Sequence, residues 1–299
     1  MKVLLTGASG FIGSKILTAL LKKYGFESVL VLSSKPISKA EYVVYKSTAD
    51  FGTSHTQFDD ITHIIHAGAF IPKESAQIND LELCFSNIEF TKNLLCHKFK
   101  KLELFINLST IDVYQQCSDS LSEKSHVLPK SLYGSSKLYC EEMVKKSADH
   151  HEYKYLNLRI GHVYGPGEEK YKKALPSFIK KILANESPEI WGDGGDLRSF
   201  IFIDDVVESV LNSFELTKNN IDINIVSGQS ISILELLEIV IAVSGKNIIP
   251  LIKDSNHAKN NIVFDNSLLM NSLLKKETDL QYGVALEYEY MKILYENNI

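Results

Sequence analysis

The chain has 299 residues, of which 44% are hydrophobic and 23% charged, a balance typical of a globular protein with a sizeable core. Its 32 basic and 37 acidic side chains leave a net charge of -5, which gives no basic surface for a nucleic acid or an acidic membrane. No run approaches the roughly 18 apolar residues of a membrane span, and the apolar run Val3–Leu5 is too short for a signal peptide. We therefore expect no nucleic-acid partner and no membrane partner.

The four cysteines are Cys84, Cys96, Cys117 and Cys140. None of them stands in the CxxC spacing of a metal or redox site, and so long a chain does not need a disulfide framework. We expect free thiols, no metal site and a cytoplasmic location.

Short apolar runs alternate with helical patterns in the first half of the chain, which is typical of a parallel sheet with crossover helices. Val3–Thr6 is predicted to be a strand, and apolar residues at helical spacing from Ile12 to Leu21 predict a helix directly after it. Further strands are predicted at 29–32, 61–66, 104–108 and 155–160, and further helices at 81–99 and 133–146. This order predicts an α/β protein with a Rossmann-like, doubly wound parallel sheet.

After Gly165 the sequence changes to glycine and proline turns around shorter elements, with amphipathic helices predicted at 230–244 and 286–294. We expect residues 1–165 to form a Rossmann domain to which residues 200–227 return. Residues 166–199 and 228–299 are expected to form a smaller C-terminal α/β substrate-binding lobe.

The segment Thr6–Gly13 (TGASGFIG) connects the first predicted strand to the first predicted helix. Glycines in this position allow a tight turn and a close approach to a pyrophosphate, and the helix N-terminus offers N–H groups and a positive dipole end. The motif therefore predicts a dinucleotide site rather than an ordinary glycine-rich turn. Its expected cofactor-binding residues are Gly7, Ser9, Gly10, Phe11, Ile12 and Gly13.

The residues at the end of the second predicted strand bear on the choice of dinucleotide. About 20 residues beyond the glycine motif, an Asp or Glu usually bonds the ribose 2′-hydroxyl of NAD. This chain has Ser33, Ser34 and Lys35 there, and two hydroxyls with an ammonium suit a 2′-phosphate. NADP(H) is favoured, and NAD stays possible if Lys35 is only a solvated loop residue.

Tyr133 and Lys137 stand four residues apart at the start of a predicted helix, so their side chains share one face. A Lys ammonium and the positive ring of an oxidised nicotinamide both favour the tyrosinate, so Tyr133 can exchange a proton with a substrate oxygen. Thr110 ends the preceding strand and is expected to hydrogen-bond the same oxygen.

Seven ordered motifs make the chain resemble the extended short-chain dehydrogenase/reductase family, in its branch of nucleotide-sugar epimerases, dehydratases and reductases. The resemblance covers nearly the whole length. The motifs are TGASGFIG (6–13), IIHAGA (64–69), Asn87, NLSTIDVY (107–114), YGSSK (133–137), LRIGHVYGPG (158–167) and GDGGDLRSFIFIDDV (192–206).

The resemblance implies a role for individual residues. The cofactor is expected to contact Ala67, Gly68, Ala69, Asn87 and Ser109, together with Tyr133 and Lys137. Tyr133 is implied to be the proton donor or acceptor, Lys137 to bind the nicotinamide ribose, and Thr110 to be the third catalytic residue. Gly68 stands where the family usually has Ala, and we expect this difference to be neutral.

On the substrate side, only two of the 32 basic residues are arginines, which suggests that each is kept for its bidentate fork. Arg198 matches the position that contacts the sugar nucleotide's diphosphate in the family, whereas Arg159 is expected to be structural. Asp112 and His162 are also assigned to the substrate. His162 replaces a usual Asn, and it either donates to a phosphate or packs as a satisfied histidine.

Dehydratases of this branch place an Asp-Glu pair after the catalytic Thr, but this chain has Ile111 and Asp112, which disfavours dehydration. The leading hypothesis is an NADPH-dependent reductase of a 4-keto, typically 4-keto-6-deoxy, nucleotide-diphosphate sugar. A 4-epimerase with retained NAD and a non-catalytic NADP(H)-binding sensor are the alternatives. The resemblance also implies a homodimer formed through the helices predicted at 81–99 and 133–146.

Overall fold

The computed structural model describes residues 1–45, 56–115, 120–254 and 260–297, so Cys117 lies outside the described residues. The strands are β1 (Val3–Thr6), β2 (Val29–Ser33), β3 (Glu41–Val44), β4 (His63–His66), β5 (Leu104–Thr110), β6 (Lys154–Ile160), β7 (His162–Tyr164), β8 (Glu189–Trp191), β9 (Leu197–Phe202), β10 (Ile221–Ile225), β11 (Ser230–Ser232) and β12 (Leu251–Lys253). The helices are α1 (Phe11–Tyr24), α2 (Leu81–Cys96), α3 (Leu132–His151), α4 (Ala174–Leu183), α5 (Ile203–Asn212), α6 (Ile233–Ser244), α7 (Ser267–Ser272) and α8 (Leu280–Glu296).

The main sheet has seven parallel strands in the order β10-β6-β5-β4-β1-β2-β3. The central strands are apolar runs buried on both faces, as expected when crossover helices cover a parallel sheet. The Rossmann-like, doubly wound prediction is confirmed. Because the strand order reverses between β1 and β4, the turns that follow these strands diverge and leave a crevice at the carboxyl edge of the sheet.

Several element boundaries differ from the sequence prediction for local reasons. β3 is a short edge strand with only one buried residue, so its hydrophobic signal is weak. The helix predicted from 230 begins at Ile233, because Ser232 caps it: Ser232 Oγ accepts from Glu235 N at 3.1 Å, and Ser232 N donates to Glu235 Oε2 at 2.7 Å. Residues 230–232 instead pair with β9 as β11.

The remaining strands form two small sheets beside the main one. β7, β9 and β11 form a three-stranded sheet, and β8 pairs with β12. Helices α4, α6 and α8 pack on one another. Within the described part of the chain, no helix combines the length and apolar character that crossing a bilayer requires.

A buried ion-pair network fixes α3 against the sheet. Arg159 on β6 donates from Nε and Nη2 to both oxygens of Glu141 on α3, at 3.0 and 2.7 Å. Its other contacts are Tyr114 Oη at 2.9 Å and Asp222 Oδ2 on β10 at 3.0 Å. The expected structural role of Arg159 is confirmed. The network matters for function because α3 carries Tyr133 and Lys137.

We predict that Glu141→Gln lowers the free energy of unfolding by about 3 kcal/mol, because it leaves part of a buried guanidinium charge unpaired. Urea unfolding followed by circular dichroism measures this. Glu142→Gln is the matched control, since Glu142 pairs with Lys145 at the surface and should cost less than about 1 kcal/mol. Equal effects of the two substitutions would contradict the importance of the buried pair.

Candidate active site

The glycine-rich turn joins β1 to α1 and has no room for side chains at two of its glycines. Gly7 has a φ of 74°, in the left-handed region, and a Cβ there would lie 2.5 Å from the main chain of Ala67. A Cβ on Gly13 would lie 2.1 Å from Gly7 O. Gly10 is the N-cap of α1 and supplies no side-chain cap, so this helix end is suited to an anionic ligand.

A buried histidine links the turn after β1 to the turn after β4. The His66 ring lies between Thr6 Oγ1, 2.9 Å from Nδ1, and Thr91 Oγ1, 3.0 Å from Nε2. Thr6 Oγ1 also accepts from Gly68 N at 2.9 Å. Burial lowers the pKa of His66 to about 3, so the ring is neutral at physiological pH. His66 thereby fixes the turn after β4 relative to β1 and α2.

The turns after β1, β4, β5 and β6 surround a cavity of about 720 Å³. Most of the residues predicted from the sequence line it. They are Gly7, Ser9, Gly10, Phe11, Ile12, Gly13, Ala67, Gly68, Ala69, Asn87, Ser109, Thr110, Asp112, Tyr133, Lys137 and His162. Four predicted residues, Ser33, Ser34, Lys35 and Arg198, are not part of this lining.

Two local features bring Tyr133 to the end of β5. Ser131 caps α3 by accepting from Gly134 N at 3.0 Å, so the helix begins immediately before Tyr133. A Cβ on Gly134 would lie 2.4 Å from Asp112 O, so only glycine allows this close approach. The Tyr133 hydroxyl consequently hydrogen-bonds with Thr110.

Tyr133 is held as a proton-bearing phenol in this arrangement. Burial raises its pKa well above the ordinary value, and the charge of Asp112 raises it further. The expectation that Lys137 and an oxidised nicotinamide favour the tyrosinate stays a prediction for the protein with its cofactor bound. Lys137 is itself only 2% exposed, and burial lowers its pKa.

Asp112 lies beside the Thr110 hydroxyl. Its main-chain N–H donates to Thr110 Oγ1 at 3.2 Å, and its Oδ2 is 3.3 Å from the same oxygen. Burial raises the pKa of Asp112, and the Thr110 hydrogen bond opposes that rise. Thr110 thus stands between a carboxyl group and the phenol of Tyr133.

His162 follows β6 and lines the cavity as an uncharged ring. Burial lowers its pKa to about 4, and the charges of Arg198 and Lys173 lower it further. Among the described residues, His162 Nδ1 and Ser109 Oγ are buried without a hydrogen-bond partner. His162 therefore differs from a fully satisfied core histidine, and its Nδ1 is available to a ligand in the cavity.

Gly68 corrects one expectation from the sequence. A Cβ at this position would lie 2.6 Å from the Phe90 ring and 2.9 Å from Thr6 Oγ1. Phe90 is buried, so its ring cannot move aside freely. The difference from the usual Ala is therefore not neutral, because Phe90 fills the space that an Ala methyl group needs.

The structure places the remaining predicted residues beside the cavity rather than in its wall. Arg198 on β9 donates to the main-chain oxygens of Leu197, at 2.8 Å, and of Asn260. At the end of β2, Ser33 Oγ accepts from Lys35 N at 3.2 Å. The hydroxyl of Ser34 bonds to that of Tyr45, and Tyr45 does line the cavity.

Several lining residues were not singled out from the sequence, notably Tyr45, Phe70, Tyr171 and Lys173. Phe70 directly follows the IIHAGA motif, and its N–H donates to Asn87 Oδ1 at 2.6 Å. Its place next to the motif could have identified it as a lining residue from the sequence. Tyr171 and Lys173 lie in a loop without a recognisable sequence pattern, so only the three-dimensional structure shows that they line the cavity.

Comparison with known proteins gives a matching family model and relatives that are named as sugar-nucleotide enzymes. A family model described as "NAD dependent epimerase/dehydratase family" matches residues 3–225. The dTDP-4-dehydro-6-deoxyglucose reductase of Escherichia coli is 29% identical over 282 residues, covering 88% of this chain and 88% of that protein. A putative UDP-glucose 4-epimerase of Methanocaldococcus jannaschii is 29% identical over 250 residues, covering 80% of this chain and 81% of that protein.

A solved structure gives the same result for the fold. It is a variant of UDP-glucuronic acid 4-epimerase from Bacillus cereus, in complex with NAD and UDP-4-deoxy-4-fluoro-glucuronic acid. It is 28% identical, has a TM-score of 0.84, and the match covers 99% of this chain and 100% of that one. Since the family model also spans most of the sequence, this chain belongs to the NAD dependent epimerase/dehydratase family of extended short-chain dehydrogenases/reductases.

Proposed function

We propose that the protein is an NADPH-dependent reductase of a 4-keto nucleotide-diphosphate sugar, in particular a 4-keto-6-deoxy sugar. The observation that carries the proposal is the end of β2, where Ser33, Ser34 and Lys35 stand in place of an acidic residue. A net reductase must exchange its cofactor at each turnover and draws on NADPH. Similarity to the Escherichia coli reductase supports this choice.

The cavity fits a dinucleotide. The glycine-rich turn brings main-chain atoms, not side chains, to the start of α1, where a diphosphate is favoured by the helix dipole. Lys137, Ser109 and Tyr133 also lie in the lining of this cavity. The unpartnered Ser109 hydroxyl gives a bound cofactor a hydrogen-bonding group.

Bound in this cavity, a reduced nicotinamide would supply the hydride that the substrate carbonyl carbon accepts. Tyr133 donates its phenolic proton to the carbonyl oxygen, and the raised pKa means that this proton is present at neutral pH. Thr110 orients the same oxygen by hydrogen bonding. The ammonium of Lys137 stabilises the tyrosinate that remains after proton transfer, before Tyr133 is reprotonated.

We assign residues 166–199 and 228–299 to binding of the sugar nucleotide. Lys172 and Lys173 line the cavity from this part of the chain, where Lys172 pairs with Glu74 and Lys173 with the buried Glu168. His162 and Asp112 are assigned to the sugar side. Arg198 requires a side-chain rearrangement to reach a diphosphate, because its guanidinium contacts main-chain oxygens.

A 4-epimerase with retained NAD is the second candidate, because it uses the same Thr110, Tyr133 and Lys137. The similarity to the Methanocaldococcus jannaschii protein and to the NAD-bound Bacillus cereus structure favours it. A dehydratase is disfavoured, since the apolar Ile111 cannot protonate a leaving hydroxyl.

The thiols of Cys84, Cys96 and Cys140 are free, which supports a reducing, cytoplasmic location.

We also propose a homodimer formed by α2 and α3. These helices pack on each other and expose large apolar side chains, including those of Leu81, Phe85 and Tyr139. Exposed apolar groups clustered on neighbouring helices favour burial against a second copy of the chain.

For the dimer, we predict that sedimentation velocity gives a two-chain particle and that Phe85→Glu converts it to a monomer, because a charge is introduced into an apolar contact. Phe26→Glu is the matched control, since Phe26 is about as exposed but lies between α1 and β2, outside both helices. A wild-type monomer, or dissociation by both substitutions, would contradict this interface.

We predict that Tyr133→Phe lowers kcat about 100-fold or more, because the proton donor is lost. Isothermal titration with NADPH should show nearly unchanged cofactor affinity. The assay follows NADPH oxidation with 4-keto-6-deoxy nucleotide sugars. Full activity of the variant would exclude Tyr133 as the donor, whereas an inactive wild type that still binds NADPH would favour the sensor alternative.

We predict that Ser33→Asp lowers the NADPH-to-NADH preference about tenfold, because a carboxylate accepts from a ribose 2′-hydroxyl and repels a 2′-phosphate. The ratio of kcat/KM for the two cofactors measures it. Ser38→Asp is the matched control, since it adds the same charge to an exposed position five residues away. An unchanged ratio in Ser33→Asp would refute the assignment of this turn to the 2′-phosphate.

A further inference from the structure

The residues that follow β7, 165–173, lie across the glycine-rich turn, and we call them the covering segment. The ring centroid of Tyr171 in this segment is 6.2 Å from that of Phe11 in the turn. A Cβ on Gly167 would lie 3.2 Å from the Phe11 ring, so the main chain of the segment also runs close to the turn. The covering segment therefore lies over the start of α1.

Buried ionic contacts anchor the covering segment. Glu168 Oε2 accepts from Lys173 Nζ at 2.9 Å, and Lys173 Nζ also donates to Val163 O at 2.8 Å. Glu287 on α8 accepts from Gly165 N at 2.9 Å and hydrogen-bonds with Glu168. Two carboxyl groups can bond directly when one keeps its proton, and burial raises the pKa of both. The segment is thus fixed at both ends.

The anchored segment brings a hydroxyl group to the N-terminus of α1. The main-chain N–H of Phe11 hydrogen-bonds to the Tyr171 hydroxyl oxygen. Tyr171 also lines the cavity. This contact uses the hydroxyl oxygen of Tyr171 as an acceptor and leaves the hydroxyl proton to donate. A phenol has one donor and can accept as well, so its proton remains for an acceptor in the cavity.

The position of Tyr171 at the start of α1 favours an anionic acceptor. Lys173 Nζ lies 5.5 Å from the centroid of the Tyr171 ring and 6.0 Å from that of Phe11. It is paired with Glu168, and the charges of Glu168 and Glu169 also act on Tyr171. The positive end of the α1 dipole lies at the same place. An oxygen of a diphosphate bound on the glycine-rich turn comes within reach of the Tyr171 hydroxyl, because that hydroxyl already contacts the first N–H of the helix.

We infer that Tyr171 is a cofactor-binding residue whose hydroxyl donates a hydrogen bond to the diphosphate of the dinucleotide. The inference rests on dinucleotide binding in the proposed function, but not on the choice of NADP(H) or on the reaction. The diphosphate is common to NAD and NADP, so both cofactors gain the same contact. Tyr171 therefore contributes affinity without contributing to the discrimination at the end of β2.

The test is isothermal titration of wild-type protein and Tyr171→Phe with NAD⁺ and with NADP⁺. A hydrogen bond to a charged group is lost, so both dissociation constants should rise about tenfold while their ratio stays unchanged. Adenosine 2′-monophosphate, which lacks the diphosphate, should bind both proteins equally. Tyr282→Phe is the matched control, since Tyr282 is an exposed tyrosine on α8.

Unchanged or tighter binding of both dinucleotides to Tyr171→Phe would overturn the inference. Tighter binding would mean that the hydroxyl competes with the phosphate for the Phe11 N–H. Weaker binding of adenosine 2′-monophosphate would also overturn it, because the substitution would then disturb the whole site. A wild-type protein that prefers NAD⁺ would contradict the reductase proposal but not this inference. The effect of Tyr171→Phe on binding does not depend on which dinucleotide the wild type prefers.

Discussion

The site depends on how closely the main chain after β1 approaches the main chain after β4. The two strands are neighbours at the point where the strand order reverses, so their turns leave the sheet side by side. A single methyl group on Gly7 would overlap Ala67. The neutral ring of His66, bonded to Thr6 and Thr91, holds the two turns at this distance. Because the two turns lie this close together, the glycine-rich turn and the turn after β4 line the same cavity.

The same constraint explains why the candidate site residues meet. Parallel strands end at one edge of the sheet, so Thr110 at the end of β5 and His162 after β6 come to the cavity that begins at Gly7. The buried Arg159–Glu141 pair then fixes α3, and with it Tyr133 and Lys137, against β6. Burial also raises the pKa of Tyr133, which suits a group that is proposed to donate a proton to a carbonyl oxygen.

Most of the fold could be predicted from the sequence because the central strands are buried on both faces and read as apolar runs. The edge strand β3 could not, since one buried residue gives no periodic signal. The lining residues in ordered motifs, such as Gly13 and Lys137, could be named because their spacing carries the chemistry. Tyr171 could not, because its position follows from the ionic anchoring of the covering segment by Glu168 and Glu287, which are far apart in sequence.

The central claim is that the protein uses an exchangeable NADPH to reduce a 4-keto sugar nucleotide. The most direct measurement is to denature freshly purified protein, identify any released dinucleotide, and titrate the emptied protein with NADPH and NADH. We predict little retained cofactor and tighter binding of NADPH than of NADH. Stoichiometric, tightly held NAD would contradict the claim and would indicate a 4-epimerase instead.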